Sequence, residues 1–227
     1  MNPPNQPLRR KRVLTNPLGE LFNQALLYAH KLHREQPRKG KDVPYIGHLL
    51  GVASLVLECG GDEEMAIAAL LHDAVEDQGG TPTLEEIRRL FGARVAHIVD
   101  GCTDSHAVHP EHKESWCVRK QRYIAHVAHE ADAAVRLVSA ADKVHNARAI
   151  LNDHFEMGDR VFEKFETRKD GTLWYYRSLV QAFRAAEERR PEPASLAGRN
   201  RLLHELERIV DELERRCGGP GVNPCQG

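Results

Sequence analysis

The chain has 227 residues, of which 41% are hydrophobic, 29% are charged and only 6% are aromatic, and its formal net charge is -1. This length suits one domain with a mainly aliphatic core. The near-zero net charge argues against bulk attraction to nucleic acid or to membranes, and no apolar run reaches the roughly 20 residues that a membrane-spanning helix needs. We therefore expect neither nucleic acid nor a membrane as a partner.

The cysteines and the N-terminus bear on the location of the protein. The five cysteines are odd in number and form no Cys-x-x-Cys pair, which is more typical of reduced thiols than of a disulfide framework or a thiolate zinc site. The basic cluster at residues 9–12 is not followed by the apolar segment of a secretory signal. We therefore expect a cytoplasmic protein with reduced cysteines.

Composition divides the chain into four parts. Residues 1–16 are rich in Pro and Asn and predict a flexible arm. Residues 17–190 carry helical periodicity and form the expected domain. A Pro-Glu-Pro break opens residues 191–217, which continue as a charged C-terminal helix, and the Gly- and Pro-containing residues 218–227 are expected to be disordered.

Apolar residues at three- and four-residue steps predict the first two helices, over residues 18–35 and 44–58. The end of the first helix and the loop after it carry Arg34, Arg38, Lys39 and Lys41. Four cations within eight residues suit phosphate binding, although a solvated loop is the simpler interpretation. His48 lies among the apolar residues of the second helix, where a lone histidine is more often a core residue with a partner than a ligand.

The third helix, expected over residues 62–77, changes from wholly apolar to strongly charged at its end. The charged end contains His72, Asp73, Glu76 and Asp77. On a continuous helix His72 would stack with Glu76, and Asp73 with Asp77, because residues four apart share a face. A divalent cation would offset the burial and mutual repulsion of these groups. Solvation of a helix end at the surface is the alternative.

Further helices are predicted over residues 83–91, 93–101, 116–129, 133–151 and 172–189. A capping box at Thr83 marks the start of the first of these. The histidine-rich residues 103–114 predict a solvated loop. We expect Trp174, Tyr175 and Tyr176 to pack in the core rather than to stack on a base.

The helix over residues 133–151 is apolar around most of its circumference, which predicts a central position in the fold. A short strand over residues 135–138 is the competing interpretation, but the length of the apolar pattern favours a helix. Asp142 lies within this segment and is followed by His145 and Asn146. An acid among apolar neighbours needs either a structural hydrogen bond or a metal ion.

Two histidines and two aspartates on three helices are candidates for one site: His48, His72, Asp73 and Asp142. A mixed nitrogen and oxygen donor set with open positions suits manganese or iron better than a closed structural zinc site. A cation there would lower the pKa of a water molecule enough for nucleophilic attack. Glu76 and Asp77 follow closely and could transfer protons. The combination favours hydrolysis of a phosphoester or phosphoanhydride.

The motifs that carry this chemistry occur in order: residues 29–39 (AHKLHREQPRK), 44–48 (PYIGH), 70–77 (LLHDAVED), 91–92 (FG), 99–103 (VDGCT) and 141–148 (ADKVHNAR). With these motifs the sequence resembles the HD-domain phosphohydrolases. More narrowly, it resembles the (p)ppGpp hydrolase domain of the RelA/SpoT family in its stand-alone form, the small alarmone hydrolases. The resemblance extends over residues 18–184 and implies an all-α helical bundle.

The resemblance also implies roles for individual residues. It implies one bound Mn²⁺ ion with four ligands: His48, His72, Asp73 and Asp142. It implies that Glu76 and Asp77 activate water and assist the leaving oxygen, with His33 as support. Contacts with the nucleotide are implied for four further residues: Arg38, Lys39, Asn146 and Arg148.

The implied reaction is removal of the 3′-pyrophosphate from guanosine tetra- or pentaphosphate, the alarmones of the stringent response, to give GDP or GTP and pyrophosphate. Two alternatives remain: the same chemistry on another nucleotide, such as an adenosine alarmone or NADPH, and a nucleotide-binding module without catalysis. The sequence departs from the family pattern by an extra residue between Lys39 and Pro44, and at Leu49, Asp104 and Lys143. These departures leave the preferred base open.

Overall fold

The computed structural model describes residues 17–190 and 198–226. Within these ranges the regular structure is helical, and the only β-type pairing is an isolated bridge between Pro37 and Pro44. The prediction of an all-α fold is confirmed. The predicted flexible arm, residues 1–16, lies outside the described residues.

The α-helices of the described residues are α1 (Glu20–Leu32), α2 (Ile46–Glu58), α3 (Glu63–Leu71), α4 (Ala74–Gln78), α5 (Gly80–Phe91), α6 (Ala93–Cys102), α7 (Trp116–His129), α8 (Ala133–Met157), α9 (Arg168–Arg189) and α10 (Gly198–Cys217). Two 3₁₀ segments, Pro110–His112 and Gly158–Lys164, lie between them. Helix α8 runs six residues beyond the predicted end, and α9 begins four residues before the predicted start. Within the described residues, none of the helices has the length and apolarity needed to cross a bilayer.

The centre of the bundle consists of α3 and α8, because both are apolar on nearly every side. Every residue from Met65 to Leu71 is buried, and so is every residue from Ala134 to Asp142. Asp62 caps α3 by accepting from the backbone N–H of Met65 at 2.9 Å. The alternative of a strand over residues 135–138 is wrong, since this segment lies inside α8.

The predicted continuous helix over residues 62–77 is interrupted at its charged end. Helix α3 ends at Leu71 and α4 begins at Ala74, so His72 and Asp73 form the junction. The ring of His72 is turned back along its own helix, with Nδ1 2.8 Å from the carbonyl oxygen of Ala69. The expected stacking of residues four apart is therefore replaced by direct contact between the two junction side chains.

Helix α5 starts at Gly80 rather than at the predicted Thr83. The hydroxyl of Thr83 donates to the carbonyl of Gln78 at 3.1 Å instead of accepting as a helix cap. Gly79 and Gly80 both have positive φ, and a Cβ on Gly80 would lie 2.3 Å from the carbonyl oxygen of His106. Only glycine allows the chain to turn here with the loop so close.

The C-terminal part belongs to the same core. Helix α10 packs against α8 and α9 and has five buried hydrophobic residues: Leu202, Leu206, Ile209, Val210 and Leu213. The following residues 218–226 are placed against the bundle, where a Cβ on Gly221 would lie 2.0 Å from the carbonyl oxygen of Asp170. Cys225 forms a disulfide with Cys117 at the start of α7.

Two predictions are therefore wrong: the disorder of residues 218–226 and the reduced state of Cys117 and Cys225. The paired cysteines are 108 residues apart in sequence, so local spacing gave no sign of the bond. Cys59, Cys102 and Cys217 are free, as predicted.

Candidate metal centre and active site

The four predicted metal ligands meet where α2, the α3–α4 junction and α8 converge. The ligand atoms of His48, His72 and Asp73 all lie within 4.8 Å of one another. Asp142 completes the group, with Oδ1 3.2 Å from Nε2 of His48 and 3.4 Å from Nε2 of His72. On the other side, Asp73 Oδ2 lies 3.4 Å and 3.0 Å from the same two nitrogens.

This donor set fits a divalent cation. The Nε2 atoms of His48 and His72 are buried and have no hydrogen-bond partner, although the carboxylate oxygens of Asp73 and Asp142 are close. Buried polar atoms of proteins are normally hydrogen-bonded. Two unpartnered nitrogens that face two carboxylates are the arrangement expected when a metal ion satisfies all four groups.

Both carboxylate donors are held by further hydrogen bonds. Asp73 Oδ2 accepts from the hydroxyl of Tyr45 at 2.6 Å, and Asp142 accepts from Lys143 and Asn146 at 2.6 and 2.5 Å. Burial would raise the pKa of Asp142, but Lys143 and the two histidines hold it well below its usual range. Asp142 therefore remains a carboxylate.

Glu76 and Asp77, the predicted proton-transfer residues, border the same pocket. Burial and the charge of Asp104 raise the pKa of Glu76 to about 7, against the opposing effects of Lys120 and Lys113. Burial and the charge of Asp73 also raise the pKa of Asp77. A pKa of about 7 lets Glu76 exchange protons near neutral pH, as general acid–base catalysis requires.

Asp77 is also the end of a short polar chain. Gln36 donates to its Oδ2 at 2.8 Å, and the amide oxygen of Gln36 lies 2.8 Å from Nδ1 of His33. The ring of His33 stacks on that of Tyr45 at a centroid distance of 5.2 Å. These contacts agree with the supporting position predicted for His33.

The metal cluster opens into a pocket of about 400 Å³, a volume within the usual range for small-molecule sites. Of the four predicted nucleotide contacts, Arg38, Lys39 and Asn146 line it. Arg38 donates to the side-chain oxygen of Asn146 at 2.7 Å and lies over the ring of Tyr45. The placement of Arg148 in the pocket is wrong, because its side chain points to α10 and binds Glu205 at 2.5 Å.

The pocket is lined by five further cations: Lys41, Arg119, Lys120, Lys143 and Lys164. Lys41 and Lys164 share Asp153, while Arg119 and Lys120 share Asp104. Although burial opposes it, these two cations lower the pKa of Asp104 to about 2.

Aromatic rings complete the wall. Trp116, Tyr175 and Tyr176 line the pocket, and both tyrosines also belong to the hydrophobic core. The prediction that Tyr175 and Tyr176 pack in the core is confirmed, but it missed that they face the cavity as well. The apolar residues at helical spacing predicted that these tyrosines pack in the core, but they did not indicate that the same rings border a cavity.

The comparisons with known proteins identify the family of the chain. The chain matches the HD domain family over residues 25–170. It is 39% identical, over 144 residues, to guanosine-3′,5′-bis(diphosphate) 3′-pyrophosphohydrolase MESH1 of Danio rerio, which covers 61% of this chain and 75% of MESH1. It is also 35% identical to a GTP pyrophosphokinase of Myxococcus xanthus over 159 residues, which is 67% of this chain but only 20% of that protein. The chain thus spans about a fifth of the length of that larger relative.

Solved structures give the same result. A metazoan ortholog of SpoT that hydrolyses ppGpp superposes with a TM-score of 0.64 at 27% identity, covering 90% of this chain and 99% of that one. A protein of Listeria monocytogenes superposes with a TM-score of 0.59 at 26% identity, covering 72% and 99%. The chain belongs to the HD domain family. Within that family it is similar to MESH1, a stand-alone hydrolase, over most of the length of that protein.

Proposed function

We propose that this protein is a metal-dependent pyrophosphohydrolase that removes the 3′-pyrophosphate of guanosine tetra- or pentaphosphate. The observation that carries the proposal is one pocket in which the metal-ligating cluster, Glu76 and a wall of cations face each other. The names of the similar proteins, MESH1 and the SpoT ortholog, support the choice of ppGpp as substrate.

The proposed cofactor is one Mn²⁺ ion held by His48, His72, Asp73 and Asp142. Two imidazoles with two carboxylates form a donor set of intermediate hardness, which manganese accepts with water in its remaining positions. When bound, such an ion lowers the pKa of water and neutralises charge on a phosphoryl oxygen.

The proton transfers are assigned to the two carboxyl groups beside the cluster. In the reaction the oxygen of water bonds to the phosphorus attached to the 3′ oxygen, and the bond between that phosphorus and the 3′ oxygen breaks. Glu76 accepts a proton from the water. Asp77, which lies beside Glu76 and whose pKa is raised by burial and by the charge of Asp73, is assigned to donate one to the departing 3′ oxygen. The products are GDP or GTP and pyrophosphate.

The substrate is held by the wall of the pocket. Arg38 offers a planar guanidinium that suits stacking on a base or a bidentate contact with phosphate, and Lys39 offers a point charge. Asn146 fixes the position of Arg38 and touches Asp142 at the same time. This link ties the nucleotide contact to the metal centre.

The test is a turnover assay of the purified protein with Mn²⁺ and ppGpp, with pyrophosphate as the measured product. Parallel reactions with pppGpp, an adenosine alarmone and NADPH determine the preferred base. Release of pyrophosphate that stops on addition of EDTA supports the proposal. Bound Mn²⁺ without pyrophosphate release from ppGpp would reject the proposal. Faster turnover of another nucleotide would identify that nucleotide as the preferred substrate.

We also propose a cytoplasmic location, where a nucleotide substrate is available. The Cys117–Cys225 disulfide counts against this location, because disulfides are rare in reducing compartments. Thiol labelling of the protein in intact cells measures the state of this pair directly.

A further inference from the structure

The ring of His48 is fixed on the side opposite to the metal cluster by a second histidine. Its Nδ1 lies 2.9 Å from Nδ1 of His145, and the two ring centroids are 4.8 Å apart. His48 is 1% exposed, so water does not compete for this contact. One of the two nitrogens must donate a proton and the other must accept it.

The direction of this hydrogen bond follows from the other nitrogen of His48. Nε2 faces Asp73 and Asp142 and must carry a lone pair if it is to bind a metal ion. The proton of the neutral ring is then on Nδ1, which donates to Nδ1 of His145. His145 therefore has to be the acceptor, with its own proton on Nε2.

The structure makes room for this arrangement at Gly51, which is one turn after His48 in α2. A Cβ at this position would lie 2.3 Å from Nε2 and 2.4 Å from Cδ2 of His145. Any larger residue would push the imidazole away. The glycine in the interior of α2, which costs helix stability, is thus explained by the ring packed against it.

We infer that His145 is a positioning residue that holds His48 in the tautomer able to bind the metal. The inference rests on the proposed metal site. The other metal-facing histidine has a different support, since Nδ1 of His72 donates to the carbonyl oxygen of Ala69 at 2.8 Å. A backbone acceptor cannot be removed by a side-chain substitution, whereas the acceptor of His48 can. Of the two histidine ligands, therefore, only His48 depends on another side chain for its tautomer.

The test compares two nearly isosteric variants. In His145→Asn the side-chain oxygen takes the place of Nδ1 and still accepts, whereas His145→Leu fills the same space without an acceptor. Mn²⁺ affinity is measured by isothermal titration calorimetry, and the melting temperature in EDTA serves as the control for folding. We expect about a 10- to 100-fold loss of affinity for His145→Leu, the usual effect of losing such a support. His145→Asn should stay within a few-fold of the wild type.

Equal Mn²⁺ affinity of the leucine variant and the wild type would overturn the role of His145. An equal loss in both variants would also overturn it, because then the acceptor is not what matters. A wild-type chain that binds no Mn²⁺ would instead reject the metal site itself. Gly51→Ala is expected to weaken Mn²⁺ binding as His145→Leu does.

A direct reading of the tautomer does not depend on any variant. With diamagnetic Zn²⁺ as the probe, long-range ¹H–¹⁵N NMR spectra of the wild-type protein report which ring nitrogen carries the proton. We expect His48 to be protonated at Nδ1 and His145 at Nε2. A proton on Nδ1 of His145 would contradict the inference.

Discussion

The two sides of the pocket are built in different ways. On the metal side, His48, His72 and Asp142 are at most 5% exposed and belong to or adjoin the most buried helices. On the cationic side, the side chains of Lys41 and Lys164 are 40% and 22% exposed and come from a loop and a 3₁₀ segment. These three metal donors are buried, whereas Lys41 and Lys164 are partly exposed and are both paired with Asp153.

This difference suggests separate roles: the metal side carries out the reaction, and the cationic side contributes to the affinity for substrate. The metal donors converge on one point, and Nε2 of neither histidine has a hydrogen-bond partner. Lys41 and Lys164 instead share Asp153, so a phosphate bound by either lysine would compete with that contact. Damage to the metal side should therefore abolish turnover, and damage to the cationic side should weaken it.

The largest effect is expected for Asp73→Ala. This change removes an oxygen that lies 3.0 Å from His72 and 3.4 Å from His48, so the cation loses a charged ligand. We expect Mn²⁺ binding and pyrophosphate release to fall below detection, as measured by calorimetry and the turnover assay. Substantial activity with full Mn²⁺ occupancy would show that the cluster is not the catalytic centre.

Glu76→Gln should have the next largest effect and a distinct pH dependence. A proton acceptor at this position contributes about 10²- to 10⁴-fold in rate, so kcat should fall by that factor while Mn²⁺ still binds. In the wild type, kcat/KM should rise with pH up to about 7, where Glu76 loses its proton. The variant should lack this rise, and an unchanged pH profile would exclude Glu76 as the acceptor.

Glu76→Gln is also expected to change the stability of the protein. The pKa of Glu76 is raised in the folded state, so the folded protein binds the proton more tightly than the unfolded chain and loses stability as pH rises from about 4.5 to about 7. Glutamine avoids this loss. We expect Glu76→Gln, in EDTA, to melt above the wild type at pH 8 by about 2–4 °C for each kcal/mol gained, with little difference at pH 4.

The contrast between the two sides also explains how far the sequence alone could go. His72, Asp73 and Asp142 stand out because charged residues interrupt apolar helices, and such residues need a partner. Asp104 and Lys120 are 16 positions apart and lie in ordinary polar stretches of the sequence, so their contact beside the pocket depends on how α7 packs. The interruption between α3 and α4 at His72 was not predicted either, because helical propensity continues through these residues.

Arg148 shows the limit of transferring a motif residue by residue. It follows Asn146 by two positions, and residues two apart point to different faces of a helix. Asn146 therefore faces the metal and Arg148 faces α10. The motif identified the helix correctly, but the orientation of its last residue is decided by the helix packed behind it.

Arg38, inside the pocket, and Arg148, outside it, give a matched test of the cationic side. Arg38→Ala should lower kcat/KM by about 10- to 100-fold through KM, the usual range for a charge-assisted contact of 1.5–3 kcal/mol, and leave Mn²⁺ binding intact. Arg148→Ala, which removes an equal charge outside the pocket, should change KM less than about twofold. Equal losses in the two variants would mean that overall charge, rather than contact with the nucleotide, governs binding.

The smallest effect on catalysis is expected from breaking the disulfide. Cys117 adjoins Trp116 in the pocket wall, and its bond to Cys225 holds the C-terminal residues against α7. Cys225→Ser should cost about 2–5 kcal/mol of stability, or a fall in melting temperature of about 2–4 °C for each kcal/mol. Because the metal donors are anchored elsewhere, kcat should stay within about threefold. Cys217→Ser, which changes a free thiol, is the control. A loss of Mn²⁺ binding in Cys225→Ser would contradict the separation of the two sides.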